Sequence, residues 1–521
     1  MFGLSMLAEL STPRGFLMTE INASTSGDPP AARFDTDQWS ALVLLCTAAF
    51  MIVLDGSTVI TALPSIQADL GFSASDLHWV ATSYALTFGG LMLLGGRLAD
   101  LVGRRRVFMT GVVIFIITSL LCGLAWSSAV LVAGRFLQGV GAAIALPAAL
   151  SILMTTFEEG PARNKALGVW LATGSAGGIV GYIVGGLLTD GPGWEWIFYV
   201  NVPVGVGVLA LSPVLLSEER DRDSDESVDF AGAVAITVSL IALVYAITMA
   251  PDLGLAHWQT GGLLAVSTAL FAVFVRIEAR SRSPLVPLRL FRSRTLVGGN
   301  LILIVAGMSL SGALYILTLY MQQVLGYSAT QFAIAMLVPG VTSIVGAYAG
   351  QHLVTKAGLR PVVLSSIAGI VVALGILTQV SVGGNSPVVM LATLVLLGVG
   401  VGGLFAGASI AALTGVPDGD DGIAAGIEET TYQIGSPIGI AILSAVAVSR
   451  TEVLFASGSE TLIAQTAGYR LAFAVAIVFA LFGVVFTLIF LDQPDDGPDD
   501  TLEAAEAECV QNGGFDPEID D

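Results

Sequence analysis

The stretch GGRLADLVGRRRVF, residues 95–108, places five charged side chains within the ten residues 97–106. The chain as a whole is only 12% charged, and a long apolar run lies on each side of this stretch. An apolar run of about 20 residues is long enough to cross the hydrocarbon core of a bilayer as a helix. We therefore interpret residues 95–108 as a short polar loop that joins two membrane-spanning helices.

Apolar runs of similar length recur along most of the 521 residues. Hydrophobic residues make up 55% of the chain and its mean hydropathy is +0.83, which is more apolar than a water-soluble domain. We therefore predict an all-α polytopic membrane protein with fourteen transmembrane helices. The predicted helices cover about residues 40–63, 77–98, 107–126, 129–155, 165–189, 196–216, 230–250, 259–278, 296–321, 328–353, 361–380, 387–414, 422–448 and 468–491.

The predicted helices form groups of six, two and six, because polar segments follow the sixth helix and the eighth. Two groups of six indicate a pseudo-symmetric transporter with a central site between its halves. The predicted division is an N-terminal cytoplasmic tail at 1–38, a six-helix bundle at 39–216, a linker with two additional helices at 217–294, a second six-helix bundle at 295–491 and an acidic cytoplasmic tail at 492–521.

The basic residues predict how the chain crosses the membrane. With both termini in the cytoplasm, eighteen of the 21 Lys and Arg residues lie in cytoplasmic loops, tails or helix ends, the bias that sets orientation. The same orientation brings five tryptophans to the outer interface, where an aromatic belt is expected: Trp79, Trp126, Trp194, Trp196 and Trp258. We therefore predict a multi-pass protein of the cytoplasmic membrane with both termini inside.

The net charge of −20 is concentrated in the tail at 492–521, which holds twelve Asp and Glu residues and no Lys or Arg. Such a composition predicts a disordered, solvated segment rather than a folded domain. The sequence shows no basic patch suited to nucleic acid. We therefore expect no nucleic-acid partner, and expect instead a small-molecule substrate, protons and the lipid bilayer.

The composition also argues against enzymatic chemistry. A phosphate-binding loop needs Gly-Lys-Ser/Thr, and neither of the two lysines lies in such a context. No catalytic triad, metal-ligand set or dinucleotide motif stands out, and the three cysteines, Cys46, Cys122 and Cys509, suggest no disulfide framework. We predict that the chain is not an enzyme and that it uses no cofactor and no metal.

Four ionisable residues lie inside predicted helices: Asp55, Arg135, Glu428 and Glu429. A charge at mid-membrane costs about 2.5–3.5 kcal/mol on insertion scales, so such residues usually face a cavity or a partner. We predict that these four couple transport to protons, with Arg135 adjusting the proton affinity of an acid. The alternatives are a packing hydrogen bond for Asp55, a structural ion pair for Arg135, and a solvated pair near the inner mouth for Glu428 and Glu429.

Several segments, taken together and in order, resemble the fourteen-span drug:proton antiporters of the major facilitator superfamily. The similar segments are GGRLADLVGRRRVF, LVAGRFLQGVGAA, LDGSTVITALP, WEWIFYVNVP, DFAG and PLVPLRLF. The resemblance implies a major facilitator fold, with two six-helix bundles and two extra central helices. It also implies alternating access, in which a drug, an antibiotic or another amphipathic compound leaves as protons enter.

The fifth predicted helix carries Gly177, Gly181 and Gly185, which form one smooth face and correspond to the antiporter helix of that family. This sequence departs from the family where Tyr182 follows Gly181, because proline is usual there. Glu428 and Glu429 also replace residues that are usually apolar or amide-bearing. That change is consistent with a second proton site, a cationic substrate site, or both.

Drug-exporting relatives bind their substrates among aromatic and apolar side chains. The resemblance therefore suggests a substrate cavity lined by Tyr84, Gln138, Trp170, Tyr315, Tyr320 and Tyr432. Two alternatives stay open: a dedicated exporter of one endogenous metabolite or self-made antibiotic, and a membrane sensor that does not transport. Nineteen arginines against two lysines indicate a GC-rich bacterium, which is consistent with export of a self-made antibiotic. We expect the protein to be a monomer.

The opening stretch itself predicts a conformational gate. The basic residues of the loop are partly explained by topology, but that explanation does not account for an acid and two glycines. Glycines allow a tight turn and close helix approach, and an acid at a helix end can bind a neighbouring helix N-terminus or the loop arginines. The predicted gate residues are Gly96, Asp100, Gly103, Arg104 and Arg105.

Overall fold

The structure is a computed structural model that describes residues 35–157, 160–217, 230–253, 257–281, 286–384, 386–416 and 421–491. Fourteen long helices account for most of these residues. Thirteen are long and apolar enough to cross a membrane, and the remaining one, α7, is apolar over Ala231–Ile247. The all-α membrane fold predicted from the sequence is therefore confirmed.

The helices run as follows: α1 Thr36–Leu70, α2 Trp79–Val102, α3 Arg104–Gly123, α4 Ser128–Thr156, α5 Pro161–Asp190, α6 Trp196–Leu215, α7 Phe230–Leu253, α8 Trp258–Glu278, α9 Arg294–Val324, α10 Ala329–Ala357, α11 Leu359–Leu377, α12 Pro387–Leu413, α13 Asp421–Ala456 and α14 Thr461–Phe490. The tails predicted at 1–38 and 492–521 lie outside the described residues, apart from the start of α1.

Several helices are longer than the apolar runs that predicted them, because the helical backbone continues past the apolar run to a capping residue. The Asp35 carboxylate accepts a hydrogen bond from the Gln38 N–H at 2.7 Å, and the Gln38 side chain bonds back to the Asp35 N–H. This capping box satisfies N–H groups that the first turn of α1 leaves free. At the other end Gly71 takes a left-handed conformation, with φ of 65°, that favours glycine.

The helices α1–α6 and α9–α14 form two halves with matching glycine contacts. In the first half a Cβ at Gly139 of α4 would collide with the α2 backbone, and in the second a Cβ at Gly398 would collide with α10. Helices α1 and α5 likewise approach through glycines, as do α9 and α13 through Gly435 and Gly439. Close approach through glycine is typical of helix packing in bilayers. The two halves therefore repeat one packing scheme.

The two additional helices, α7 and α8, lie against the seam between the halves. Ser239 and Ser267 join them by reciprocal hydrogen bonds from each hydroxyl to the other's carbonyl, at 2.8 and 2.9 Å. On its other side α7 places Val244 in an apolar cluster with Leu86 of α2 and Ile438 of α13. One helix of the pair therefore contacts both halves.

The halves meet tightly at one end of the bundle. We call the end where α1 begins and α14 ends the terminal face, and the other end the opposite face. Near the opposite face the Gln322 side chain donates to the Thr61 carbonyl at 2.9 Å, and Gln323 donates to the Gln67 side chain at 2.7 Å. These contacts join α9 of the second half to α1 of the first half near the opposite face.

Candidate functional site

Asp55 and Arg135 form an ion pair in the core of the first half. An Arg135 Nη1 lies 2.5 Å from Asp55 Oδ2, and neither side chain is more than 1% exposed. The Arg135 Nε also donates to the Val80 carbonyl at 3.1 Å, and its guanidinium lies 4.2 Å from the centre of the Tyr84 ring. The pair links α1 to α4, and α2 supplies further contacts.

Amide side chains complete the surroundings of the Asp55 carboxylate. Its Oδ1 accepts hydrogen bonds from Gln138 at 2.9 Å and from Asn201 at 2.8 Å. Asn201 also donates to the Ser119 hydroxyl at 3.1 Å, and Ser119 donates to the Phe198 carbonyl at 2.9 Å. A buried charge is tolerated when its lone pairs are satisfied in this way. The network is therefore a closed unit inside the first half.

Two members of this network, Ser119 and Asn201, were not predicted from the sequence. Uncharged polar residues are common in membrane helices, so neither stands out from its apolar run as Asp55 does. The one available signal was the segment WEWIFYVNVP, in which Asn201 is the single amide. Asn201 follows a short helical segment, Trp196–Tyr199, at the start of α6.

Glu428 and Glu429 lie in the second half and have different surroundings. The Ser409 hydroxyl of α12 donates to a Glu428 oxygen, and Glu428 is partly buried. Glu429 is exposed and accepts a hydrogen bond from Gln433 at 2.9 Å. Gln433 lies on the side of α13 that meets α2, because a Cβ at Gly89 would lie 3.0 Å from the Gln433 Cβ. The Glu pair is thus separate from the Asp55–Arg135 pair: Glu429 lies next to the side of α13 that meets α2, and Glu428 contacts α12 of its own half.

Aromatic residues lie on the seam between the halves. The Tyr432 ring meets Phe405 edge-on at 5.1 Å, and its hydroxyl lies 3.3 Å from the Ser311 hydroxyl. From the first half, Tyr182 meets Phe332 edge-on at 6.3 Å. Tyr182 and Tyr432 are both partly exposed. In the sequence, Tyr182 stands out only as a departure from the family pattern.

Most of the predicted cavity residues are packed in the core instead. Gln138, Tyr315 and Tyr320 are fully buried, and Tyr84 is only 7% exposed beneath Arg135. In this structure each of the four fills a space between helices of its own half, and their role in a substrate cavity stays a prediction. Of the remaining two, Trp170 packs on the core of the first half and keeps some exposed surface, as Tyr432 does.

The glycine face of α5 packs against α1, within the first half. A Cβ at Gly177 would lie 3.2 Å from the Phe50 carbonyl oxygen, and one at Gly181 would lie 2.8 Å from that of Leu54. Gly185 is equally close to the backbone of α1. The face therefore holds the two helices together and leaves the neighbouring face of α5 for the second half.

The opening stretch forms the turn between α2 and α3. Gly103 has φ of 111°, in the region that favours glycine, and Gly96 lies near Pro147 of α4. Arg105 donates to the Leu216 carbonyl at 3.0 Å, and a cation at the end of a helix is favourable. Asp100 is in the last turn of α2, but its side chain lies outside the described residues.

Arg104 begins α3, and its side chain is partly exposed. The hydrogen bond from Arg105 to the Leu216 carbonyl joins the start of α3 to the end of α6, within the first half. The gating role of the five predicted residues stays a prediction.

Two matched six-helix halves with two additional membrane helices define a polytopic membrane protein of the transporter class. The sequence matches the family model of the Major Facilitator Superfamily over residues 45–440 and 299–515. The chain belongs to the Major Facilitator Superfamily.

Its relatives include antibiotic exporters. It is 38% identical to "Cephamycin export protein CmcT" of Amycolatopsis lactamdurans, over 86% of this chain and 91% of that protein. It is 34% identical to "Puromycin resistance protein pur8" of Streptomyces alboniger, over 90% of this chain and 95% of that protein.

Solved structures share the fold at low sequence identity. The POT family transporter PepTSo matches with a TM-score of 0.63 and 15% identity, over 86% of this chain and 99% of that one. A bacterial homologue of the human lysosomal transporter Spinster, in an inward-facing and unoccupied conformation, matches with a TM-score of 0.60 and 16% identity, over 88% and 97%. These likenesses concern the fold alone.

Proposed function

We propose that this protein exports drugs, antibiotics or other small amphipathic compounds from the cytoplasm in exchange for protons. The observation that carries the proposal is the seam between the halves, where Tyr182, Tyr432 and Glu429 bring aromatic and carboxylate groups to partly exposed positions. The relatives named as antibiotic export and resistance proteins support the direction and the kind of substrate.

The terminal face is the cytoplasmic one in this proposal, because most Lys and Arg residues lie at that face. The contacts of Gln322 and Gln323 with α1 then close the external side. In this proposal, a substrate reaches the seam from the cytoplasm while those contacts are in place. Export requires the same contacts to break and the halves to close at the cytoplasmic face.

The chemistry of the seam suits a compound with a ring system and a positively charged or hydrogen-bonding group. The rings of Tyr432 and Phe405 offer apolar and edge-on contacts, and aromatic faces also attract cations. The Glu429 carboxylate supplies a negative charge one helical turn before Tyr432. Pockets of this kind, mostly apolar with a few polar groups, are typical of small-molecule sites.

Replacing Tyr432 by Ala is expected to weaken binding of a cationic aromatic dye by about three- to tenfold, because one aromatic contact contributes about 0.5–1.5 kcal/mol. Tyr432→Phe should keep most of the affinity, since the ring remains. Phe271→Ala, at an exposed position of α8, is the matched control and should change nothing. Dye fluorescence titration with purified protein measures the affinities, and equal loss in the Tyr432 and Phe271 variants would contradict the proposed site.

Protons couple to export, in this proposal, through Glu428, Glu429, Asp55 and Arg135. Glu429 is exposed, so water or substrate reaches it in the present state. Asp55 is enclosed by its partners, so it exchanges protons only after the first half rearranges. A proton that enters down the membrane potential supplies about 2.3 kcal/mol per 100 mV for each charge moved.

The double variant Glu428→Gln/Glu429→Gln is expected to lose most export that depends on a proton gradient, while counterflow of an uncharged aromatic substrate at equal pH persists. Amides keep the size and the hydrogen bonding of the side chains but cannot release a proton. Vesicles that contain the purified protein, with an imposed pH gradient and a fluorescent substrate, measure both rates. Glu452→Gln, at an exposed position of α13, serves as the control.

Full gradient-driven export in that double variant would contradict a coupling role for the Glu pair. A narrow substrate range would favour a dedicated exporter of one compound, the alternative that the names of the export proteins among the relatives support. A panel of cationic dyes and antibiotics, tested for export by cells that express the protein, distinguishes the two.

A further inference from the structure

Helix α5 presents two stripes of residues to two different partners. The glycine face at 177, 181 and 185 packs on α1, as described above. The next stripe, Tyr182, Gly186 and Asp190, also repeats every four residues and so lies along one side of the helix. This second stripe contacts the beginning of α10, which belongs to the other half.

The stripe becomes more tightly fitted toward the opposite face. Tyr182 meets the Phe332 ring edge-on, and Gly186 lies so near α10 that an added Cβ would be 2.8 Å from the Ala329 carbonyl oxygen. Any side chain larger than glycine at 186 would push the two helices apart. The close approach at Gly186 places Asp190, one turn further on, at the N-terminus of α10.

The Asp190 carboxylate caps α10 across the seam. Its Oδ1 accepts a hydrogen bond from the Ala329 N–H at 3.2 Å, and its Oδ2 accepts one from the Thr330 N–H at 2.8 Å. The helix satisfies its neighbouring N–H groups by itself, through a capping box of Ser328 and Gln331. Two of the first N–H groups of α10 are thus bound by the other half of the protein.

We propose that Asp190 holds the α5–α10 side of the seam closed at the external face, through its cap on α10, beside the Gln322 and Gln323 contacts between α9 and α1. A carboxylate at a helix N-terminus is favoured by the helix dipole, and hydrogen bonds to a charged group are stronger than neutral ones. Opening of the opposite face separates α5 from α10 and gives both N–H groups to water. The proposal rests on the alternating access proposed above, but it depends on neither the substrate nor the coupling ion.

Removal of the cap should shift the population between the two states of access. Spin labels at Ala74 and Ser457, one in an exposed loop of each half at the opposite face, report their separation in the full-length protein in lipid nanodiscs. The three native cysteines are first replaced by Ala. Asp190→Ala is expected to raise the ratio of long to short label distances about tenfold. Asp190→Asn, which keeps one acceptor but no charge, should give an intermediate ratio.

Asp69→Ala is the matched control, because Asp69 is exposed at the same face but accepts its hydrogen bond from Trp194 within its own half. It should leave the ratio unchanged. Equal ratios for Asp190→Ala and the parent, or equal shifts for Asp190→Ala and Asp69→Ala, would overturn the cap. If only short distances appear in every variant, alternating access itself fails and the cap fails with it.

Discussion

Replacing Arg135 by Ala is expected to abolish export and to lower the free energy of unfolding by about 3–5 kcal/mol, because the Asp55 carboxylate is then buried without its partner charge. The amides of Gln138 and Asn201 would still donate to that carboxylate, but neither brings a positive charge. Thermal unfolding in detergent and export from vesicles measure the two effects. Arg450→Ala, at an exposed position near the end of α13, should affect neither.

A neutral double variant separates the two interpretations of this pair that the sequence left open. Asp55→Asn combined with Arg135→Gln removes both charges, so most of the lost stability should return. If the pair only fastens α1 to α4, export should return as well. We expect stability to recover and gradient-driven export to stay absent, since Asn cannot carry a proton. Recovery of both would assign the pair a purely structural role.

Replacing Gly185 by Val is expected to disrupt the contact between α5 and α1. A Cβ there would lie 2.8 Å from the Thr58 Cα, so α5 must move away from α1 before Val fits. Overpacking of this kind costs about 1–3 kcal/mol, and occasionally more where backbone meets backbone. We expect lower thermal stability and at least tenfold slower export. Thermal unfolding and vesicle transport provide the measurements.

Gly174→Ala, earlier on the same helix, is the control for that change. A Cβ at Gly174 would meet no atom within 4 Å, and Ala is the better helix former by about 1 kcal/mol. It should leave stability equal or slightly higher and leave export unchanged. If Gly174→Ala were as harmful as Gly185→Val, flexibility of the glycines, and not close packing, would be their contribution to α5.

The fold could be predicted because apolar runs and charged loops are strong signals, and the residues of the ion pair could be selected because a charge in an apolar run is rare. The partners of Asp55 could not be selected from the sequence in this way. Asn201 and Ser119 are uncharged polar residues of a kind common in membrane helices, and they lie far from Asp55 in the sequence. Only the folded chain shows that their side chains meet.

The cavity residues were harder to predict for a different reason. Tyr315 and Tyr320 have the same chemistry as Tyr432. Helix periodicity, however, does not tell which face of a helix lies at the seam between the halves and which packs on another helix of the same half. Tyr182 illustrates the same limit. Its position beside the glycine face was plain in the sequence, whereas its contact with Phe332 depends on how the two halves meet.

The position of α7 gives the two sides of the molecule different mechanical properties. On one side, Leu86, Val244 and Ile438 meet through apolar surfaces, and such contacts have no preferred direction. Small displacements between surfaces of this kind exchange one contact for another at little cost. On the α5–α10 side the contact at Asp190 depends on two hydrogen bonds with definite geometry. The apolar contacts beside α7 therefore tolerate small displacements between the halves, whereas the hydrogen bonds at Asp190 break when α5 and α10 move apart.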